Sequence, residues 1–316
     1  MATNELTRHD LLGPLTIPLA YRPPIAWQEM LRYFAGRAIP GVEAVADHDG
    51  VLSYMRSVRL GDACGWLRIT HVPDDTRLTM EAAPTLAPVL TSLLARVRNQ
   101  FDLDANPAVI EAHLGQDSLL ARQICLEPGM RVPGAFDAFE LAVRAVLGQQ
   151  VSVAAATTLS GRLASSFGDF VATPFAKVML HFPSATRLAL VPCETIAQIG
   201  LPKTRAQTIC NLARFSEGGG LSIAPGASLG ATIAHLKTVG GIGEWTAQYI
   251  AMRALRFADA FPAGDLGLQK AAAQEPGESG PGARLNEKRL LARAAGWTPW
   301  RAYAALMLWH SLVKPD

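Results

Sequence analysis

The chain has 316 residues, 49% of them hydrophobic and 18% charged, enough apolar material for a large core and enough length for two or three domains. This excludes a disordered, low-complexity or fibrous protein. Lys+Arg 29 against Asp+Glu 27 leaves a net charge of only +2, so bulk electrostatics alone would not hold nucleic acid, and backbone amides would have to supply much of any grip.

Cys64, Cys125, Cys193 and Cys210 are spaced too widely for a zinc or iron–sulfur set and are too few for a disulfide framework. Cys125 and Cys193 read as small buried apolar residues. The seven histidines form no HxxxH or HExxH pair, which argues against a metal-ligating helix. The first residues lack a basic start followed by an apolar core, and no run of 18 apolar residues occurs. The expected location is a reducing cytoplasm, with no membrane partner.

In chain order, a helix is predicted at about 26–38 and a strand at 51–60. Leu67 and Ile69 then alternate with Arg68 and Thr70, and Leu78 and Met80 with Arg77, Thr79 and Glu81, the period of half-buried strands. Residues 72–75, Val-Pro-Asp-Asp, supply the turn between them, and a helix at 85–100 completes a small α+β unit on an antiparallel sheet. Beyond residue 105 the pattern turns helical, with helices expected at 137–147, 153–167, 204–215 and 300–313. Pro and Gly punctuate them at 128–134, 199–202, 218–226 and 276–282, and the last of these reads as a mobile surface loop.

The most informative stretch runs from His235 through Val239-Gly240-Gly241-Ile242-Gly243 to Trp245 and Tyr249. Ala247, Ile250, Ala251, Ala254 and Leu255 resume a helical stripe directly after it, so the glycines form a tight turn between two helices. Glycine permits positive φ and a close approach of backbone to a ligand, and the second helix opens with free N–H groups suited to a phosphate. Ile242 would plug the hairpin's core. On the glycines alone, a plain helical corner with a glycine cap is an equal reading.

Twenty residues beyond Trp245, Phe-Pro-Ala-Gly-Asp265-Leu-Gly-Leu-Gln ends a loop in an aspartate. Together with PGAFDAFELAVRAVLGQQVSVAAA at 133–156, IGLPKTRAQTICNLA at 199–213 and GWTPWRAYAALMLWH at 296–310, this resembles the helix-hairpin-helix DNA glycosylase superfamily, and within it the AlkA-type 3-methyladenine DNA glycosylases, from about Tyr21 onward. The resemblance implies an α+β fold: an N-terminal domain over residues 1–107, then a helical body over 108–316. Its two lobes would take roughly 138–257, and 108–137 plus 258–316. It implies Asp265 as the catalytic carboxylate and Trp245, Tyr249 and Trp309 as base-pocket walls. Gly240, Gly241, Ile242 and Gly243 become the phosphate clamp, with Na+ or K+ on main-chain carbonyls near Lys237, Val239 and Ile242. Gln150 falls where the family places the wedge that fills the flipped nucleotide's gap; other members carry leucine there.

The chemistry fits those roles. A base inside a duplex must be swung out before its glycosidic bond can be reached, at a cost of a few kcal/mol. Purines methylated at N3 or N7 are cationic and already weakly bonded, and an electron-rich aromatic pocket favours such a cation by about 0.5–2 kcal/mol per contact. A carboxylate then stabilises the cation-like sugar and orients water. Relatives that also cut the strand carry a nucleophilic lysine where this chain has Trp245, so the resemblance implies a monofunctional enzyme that needs no other cofactor. Its partner would be double-stranded DNA carrying alkylated bases, bound by a monomer.

Blander readings stand beside these. Asp265 also fits a helix N-cap, and Trp309 shares helical spacing with Ala302, Leu306 and Val313 as a core residue would. His235 fits a solvated helix face, and Arg205, Arg253 and Arg256 are candidates for the DNA backbone or ordinary surface cations. The rival functions are a glycosylase for oxidised or deaminated bases and a non-catalytic helix-hairpin-helix DNA-binding protein.

Overall fold

The computed structural model describes residues 13–48, 50–72, 76–224, 226–273 and 284–312. Residues 73–75 of the turn predicted at 72–75, the loop at 276–282 and the final residue of the helix expected at 300–313 lie outside the described residues.

The N-terminal part forms β1 (Leu15–Ala20), α1 (Trp27–Ala35), β2 (Glu43–His48), β3 (Val51–Leu60), β4 (Ala63–His71), β5 (Arg77–Ala82) and α2 (Leu90–Phe101). Its sheet runs β1-β5-β4-β3-β2 with every neighbouring pair antiparallel. The alternation read from the sequence is the pattern of β4 and β5, in which buried residues alternate with half-buried ones. β3 instead buries Ser53 through Val58 in succession, because both faces of the sheet are covered there. Trp27, Met30, Leu31 and Phe34 of α1 pack with Phe101 of α2 and with Tyr54 and Val58 on one face. On the other, Ala44 and Met55 meet Phe175 and Val178 from the helical part.

The two edge strands escape sequence reading. β1 carries Pro18, tolerable at an edge where no N–H is needed, and β2 is the charge-rich EAVADH. The helix expected at 85–100 is divided: Pro84–Val89 is a 3-10 turn containing Pro88, and α2 follows it.

The helical part contains α3 (Pro107–Leu114), α4 (Ser118–Leu126), α5 (Ala138–Leu147), α6 (Val153–Phe167), α7 (Ala185–Leu190), α8 (Cys193–Ala197) and α9 (Lys203–Glu217). It continues with α10 (Leu229–Leu236), α11 (Glu244–Arg253), α12 (Leu266–Ala271), α13 (Glu287–Ala294) and α14 (Arg301–His310). α5 is nearly all core, with Phe139 through Val143 and Ala145 through Leu147 buried. Asp117 ties the early helices to the late ones: it caps α4 through Leu119 and Leu120 N–H and accepts Arg293 and the Trp297 indole.

Two buried carboxylates weld the sheet to the helices. Glu140 on α5 pairs with Arg56 of β3 at 2.8 Å. Asp102 ends α2 at φ 53 and accepts the Tyr303 hydroxyl at 2.7 Å and an ion pair from Arg256. The cysteine expectation needs correction: Cys193 and Cys210 form a disulfide between α8 and α9, while Cys125 is exposed rather than buried. The spacing of 17 residues gave no warning, because α7 and α8 fold back along α9 and bring the two thiols together.

Candidate active site

α10 and α11 meet at a turn built around Gly241, whose φ of 96° lies in the region that disfavours side chains. A Cβ there would fall 1.9 Å from Thr208 Oγ1 on α9, so the turn can close on that helix only with glycine. Gly243 has a different reason. It is the N-cap of α11, and a Cβ on it would meet nothing within 4 Å; packing does not demand a glycine, and its absent side chain keeps the approach to the helix start open. No side chain caps α11, so its first-turn N–H groups are left for an outside acceptor. Ile242 is buried as the hairpin's plug, and Lys237 bridges to Glu244 at 2.8 Å across the turn.

The carbonyls named for a monovalent cation have the right chemistry. Among the described residues, those of Lys237 and Ile242 accept no hydrogen bond, and that of Val239 accepts one from Ile242 N–H at 3.0 Å. Unshared backbone oxygens suit a hard monovalent ion, and the donor set fits it.

Asp265 stands at the start of α12 and lines a cleft of about 960 Å³. Its Oδ2 accepts the Trp245 indole N–H at 2.9 Å. Its Oδ1 accepts the Trp309 indole N–H at 2.9 Å and Leu268 N–H at 2.9 Å. Asp265 is thus the N-cap of α12, and capping leaves it on the cleft. Trp309, whose spacing also fitted a core residue, is half-buried on the cleft wall.

Tyr249 stacks on Trp245 with centroids 5.2 Å apart and planes 9° apart, as their i, i+4 spacing on α11 allows. It meets Trp309 edge-on at 6.3 Å. Beneath it lies Arg253, buried, which donates to the Tyr249 hydroxyl at 2.6 Å and also to the Tyr33 hydroxyl and to the carbonyls of Pro133 and Gly134. Burial alone would raise the Tyr249 phenol. The cations of Arg253, Arg37 and Arg144 and the Tyr33 hydrogen bond outweigh it and bring the phenol down to about 8.

Sequence reasoning missed four members of this cleft. Tyr33 comes from α1 of the sheet domain and Arg37 from the turn that follows it, with the Arg37 guanidinium 3.9 Å over the Tyr33 ring. Arg144 comes from α5. Gln149 donates to Gly241 O at 3.1 Å and to Thr246 Oγ1 at 3.0 Å, while its own carbonyl accepts Arg205 at 2.6 Å. No local pattern marks these residues, because their neighbours come from distant parts of the chain. The arginines offered for the DNA backbone are otherwise employed. Arg253 is buried, Arg256 pairs with Asp102 and Arg205 braces the Gln149 carbonyl.

Gln150 follows the pinned Gln149 on the loop between α5 and α6. It is exposed, it lines the cleft, and it is held at φ 57, an uncommon conformation for a side-chain-bearing residue. His235 is exposed on α10, with its ring 4.8 Å from Phe215.

Two family models match the chain: the AlkA N-terminal domain over residues 16–137, and the HhH-GPD superfamily base excision DNA repair protein over residues 143–291. DNA-3-methyladenine glycosylase 2 of Escherichia coli K12 is 34% identical over 295 residues, which cover 93% of this chain and 96% of that protein. The chain belongs to the AlkA branch of the HhH-GPD superfamily. A probable bifunctional transcriptional activator/DNA repair enzyme AlkA of Mycobacterium tuberculosis is 36% identical over 96% of this AlkA-type chain, which spans 58% of that relative's length. The fold recurs in the 3-methyladenine DNA glycosylase of Archaeoglobus fulgidus, with a TM-score of 0.79 at 20% identity, covering 95% of this chain and 100% of that one. No described helix is long and apolar enough to cross a membrane.

Proposed function

We propose that this AlkA-type protein is a monofunctional glycosylase that flips alkylated bases, 3-methyladenine and 7-methylguanine among them, out of duplex DNA and hydrolyses the N-glycosidic bond. The observation that carries this reading is a carboxylate fixed by two indoles on the wall of an aromatic cleft, with the last glycine of the hairpin, Gly243, lining the same cleft. In this reading the hairpin amides of α11 hold a phosphate beside the lesion, and the carbonyls of Lys237, Val239 and Ile242 would hold a monovalent cation that would add positive charge there. Gln150 enters the vacated space. The flipped base lies against the indoles of Trp245 and Trp309, because the Tyr33 and Tyr249 rings already face arginine guanidinium groups. Asp265 lies below the sugar, stabilises the positive charge that grows as the bond lengthens, and orients the attacking water.

The test is single-turnover incubation with duplex DNA treated with a methylating agent, followed by identification of the released bases. Release of methylpurines, with strand breaks only after alkali, is the expected result. Breaks without alkali would overturn the monofunctional reading, and tight binding without release would favour a DNA-binding protein. We further propose that the protein acts as a monomer in the cytoplasm, which a DNA-bound mass measurement and cell fractionation would check.

The cleft's charge gives a pH dependence. As pH rises through about 8, Tyr249 loses its proton and the cleft gains a negative charge. A cationic methylpurine gains attraction, whereas a neutral lesion such as hypoxanthine, whose base departs carrying negative charge, loses it. The ratio of 3-methyladenine to hypoxanthine release should climb by a few-fold to about tenfold between pH 7 and 9, and Tyr249→Phe should flatten that climb.

Gln150 is tested by volume and polarity separately. Gln150→Ala should slow base release by about tenfold, because nothing then fills the gap and the flipped state falls back. Gln150→Leu, which keeps the bulk, should retain most of the rate. Equal rates for wild type and Gln150→Ala would remove it from the wedge.

A further inference from the structure

We propose that Trp245 and Trp309 are positioning residues for Asp265, acting through their indole N–H groups in addition to offering ring faces to a base. The proposal rests on Asp265 as the catalytic carboxylate. Each carboxylate oxygen accepts one indole at 2.9 Å, from Trp245 on α11, 20 residues before Asp265, and from Trp309 on α14, 44 residues after it. With Leu268 N–H as the third donor, the carboxylate has no freedom to rotate without losing a charge-assisted hydrogen bond.

A second observation points the same way. Gly267, two residues on in α12, has an ordinary backbone conformation, so its lack of a side chain is not a matter of φ. A Cβ there would fall 2.9 Å from Asp265 Oδ1, and 3.4 Å and 3.5 Å from Trp309 Cδ1 and Nε1. The glycine leaves the space through which the Trp309 indole reaches the carboxylate. The stacked Tyr249 covers one face of Trp245, so the ring is fixed by its edge and by one face, and only the other face remains for a ligand. The arrangement joins two tasks: the walls that receive the base also aim the group that acts on its sugar.

Trp245→Phe and Trp309→Phe keep an aromatic ring and delete only the donor. Gly267→Ala keeps both donors and crowds the carboxylate. For each variant, the single-turnover rate of base release from methylated duplex DNA is measured beside the affinity for duplex DNA containing a tetrahydrofuran abasic analogue. Each phenylalanine variant should lose about tenfold or more in rate, the double variant should approach Asp265→Asn, and Gly267→Ala should fall in the same direction. Abasic-DNA affinity should stay within about threefold of wild type, which also reports that the variants are folded. In the Asp265→Asn background the same substitutions should cost little more, since nothing is left to position.

Wild-type rates in the phenylalanine variants and in Gly267→Ala, with Asp265→Asn inactive, would overturn the proposal and leave the catalytic reading standing. So would a loss expressed only as weaker DNA binding, or one of equal size in the Asp265→Asn background. Should a phenylalanine variant fail to bind abasic DNA, Gly267→Ala decides: an unchanged rate there overturns the proposal. Base release at the wild-type rate by Asp265→Asn would instead remove the catalytic reading itself.

Discussion

Asp265→Asn should lower single-turnover base release by about 10²-fold or more while the protein still binds duplex DNA. The expected size comes from what the group faces. A full negative charge beneath a cation-like sugar, in a cleft walled by indoles, is worth several kcal/mol more to the transition state than to the bound substrate. Asparagine keeps the shape and removes the charge. It also changes the local hydrogen bonding. Oδ1 can still accept from Trp309 and Leu268, but an amide nitrogen opposite the Trp245 N–H places donor against donor. A stability loss of about 1–2 kcal/mol should accompany the kinetic one, visible as a lower denaturation midpoint. Asp265→Ala should cost about 1 kcal/mol through loss of the α12 cap, so similar rates in both variants would assign the kinetic loss to the charge. Undiminished release in either would reject Asp265 as the catalytic group.

Gly241→Ala is the second large effect, and it acts on binding. The φ of 96° penalises any side chain, and the new Cβ would lie 1.9 Å from Thr208 Oγ1, closer than any contact can be. Strain and overpacking together should lower stability by about 2–4 kcal/mol. The turn must also lift from α9. That movement carries the start of α11 with it and breaks the Gln149 bond to Gly241 O, so duplex affinity should fall by about tenfold or more. Replacing Gly243 separates the two causes. Gly243→Ala meets no protein atom within 4 Å, so it should lower stability only by the roughly 0.5–1 kcal/mol of a poorer N-cap, far less than Gly241→Ala, and still weaken DNA binding where backbone and phosphate meet. Full affinity in Gly243→Ala would remove that amide surface from the interface.

The parts of the molecule visible in the sequence were those set by local order. The two central strands with one polar face, the helices after residue 105 and the glycine turn each follow from spacing that a short window contains. β3 concealed its period because Phe175 and Val178 cover its second face from more than a hundred residues away. The candidate site divides in the same way. Trp245 and Tyr249 share a helix face, and Asp265 and Trp309 could be grouped with them only through resemblance to a family. Tyr33, Arg37 and Arg144 had no such signal; their roles exist because tertiary packing sets them around Arg253 and Tyr249. The cysteine pair shows the limit plainly, since two thiols on separate helices became neighbours through a fold-back that neither segment encodes alone.

The Tyr33–Arg253 contact joins residues 220 positions apart, and His310 on α14 pairs with Glu29 on α1 at 2.9 Å. A ribosome makes α1 first and α14 last of these. The sheet domain can collapse early on its own core, yet its side of the cleft waits for most of the chain to be made, with Tyr33 lacking the Arg253 guanidinium and Glu29 the His310 imidazole. The hairpin is complete before Trp309 is synthesised. During synthesis the glycine hairpin therefore precedes a carboxylate held from both sides, and the arrangement around Asp265 closes only when the final described helix docks.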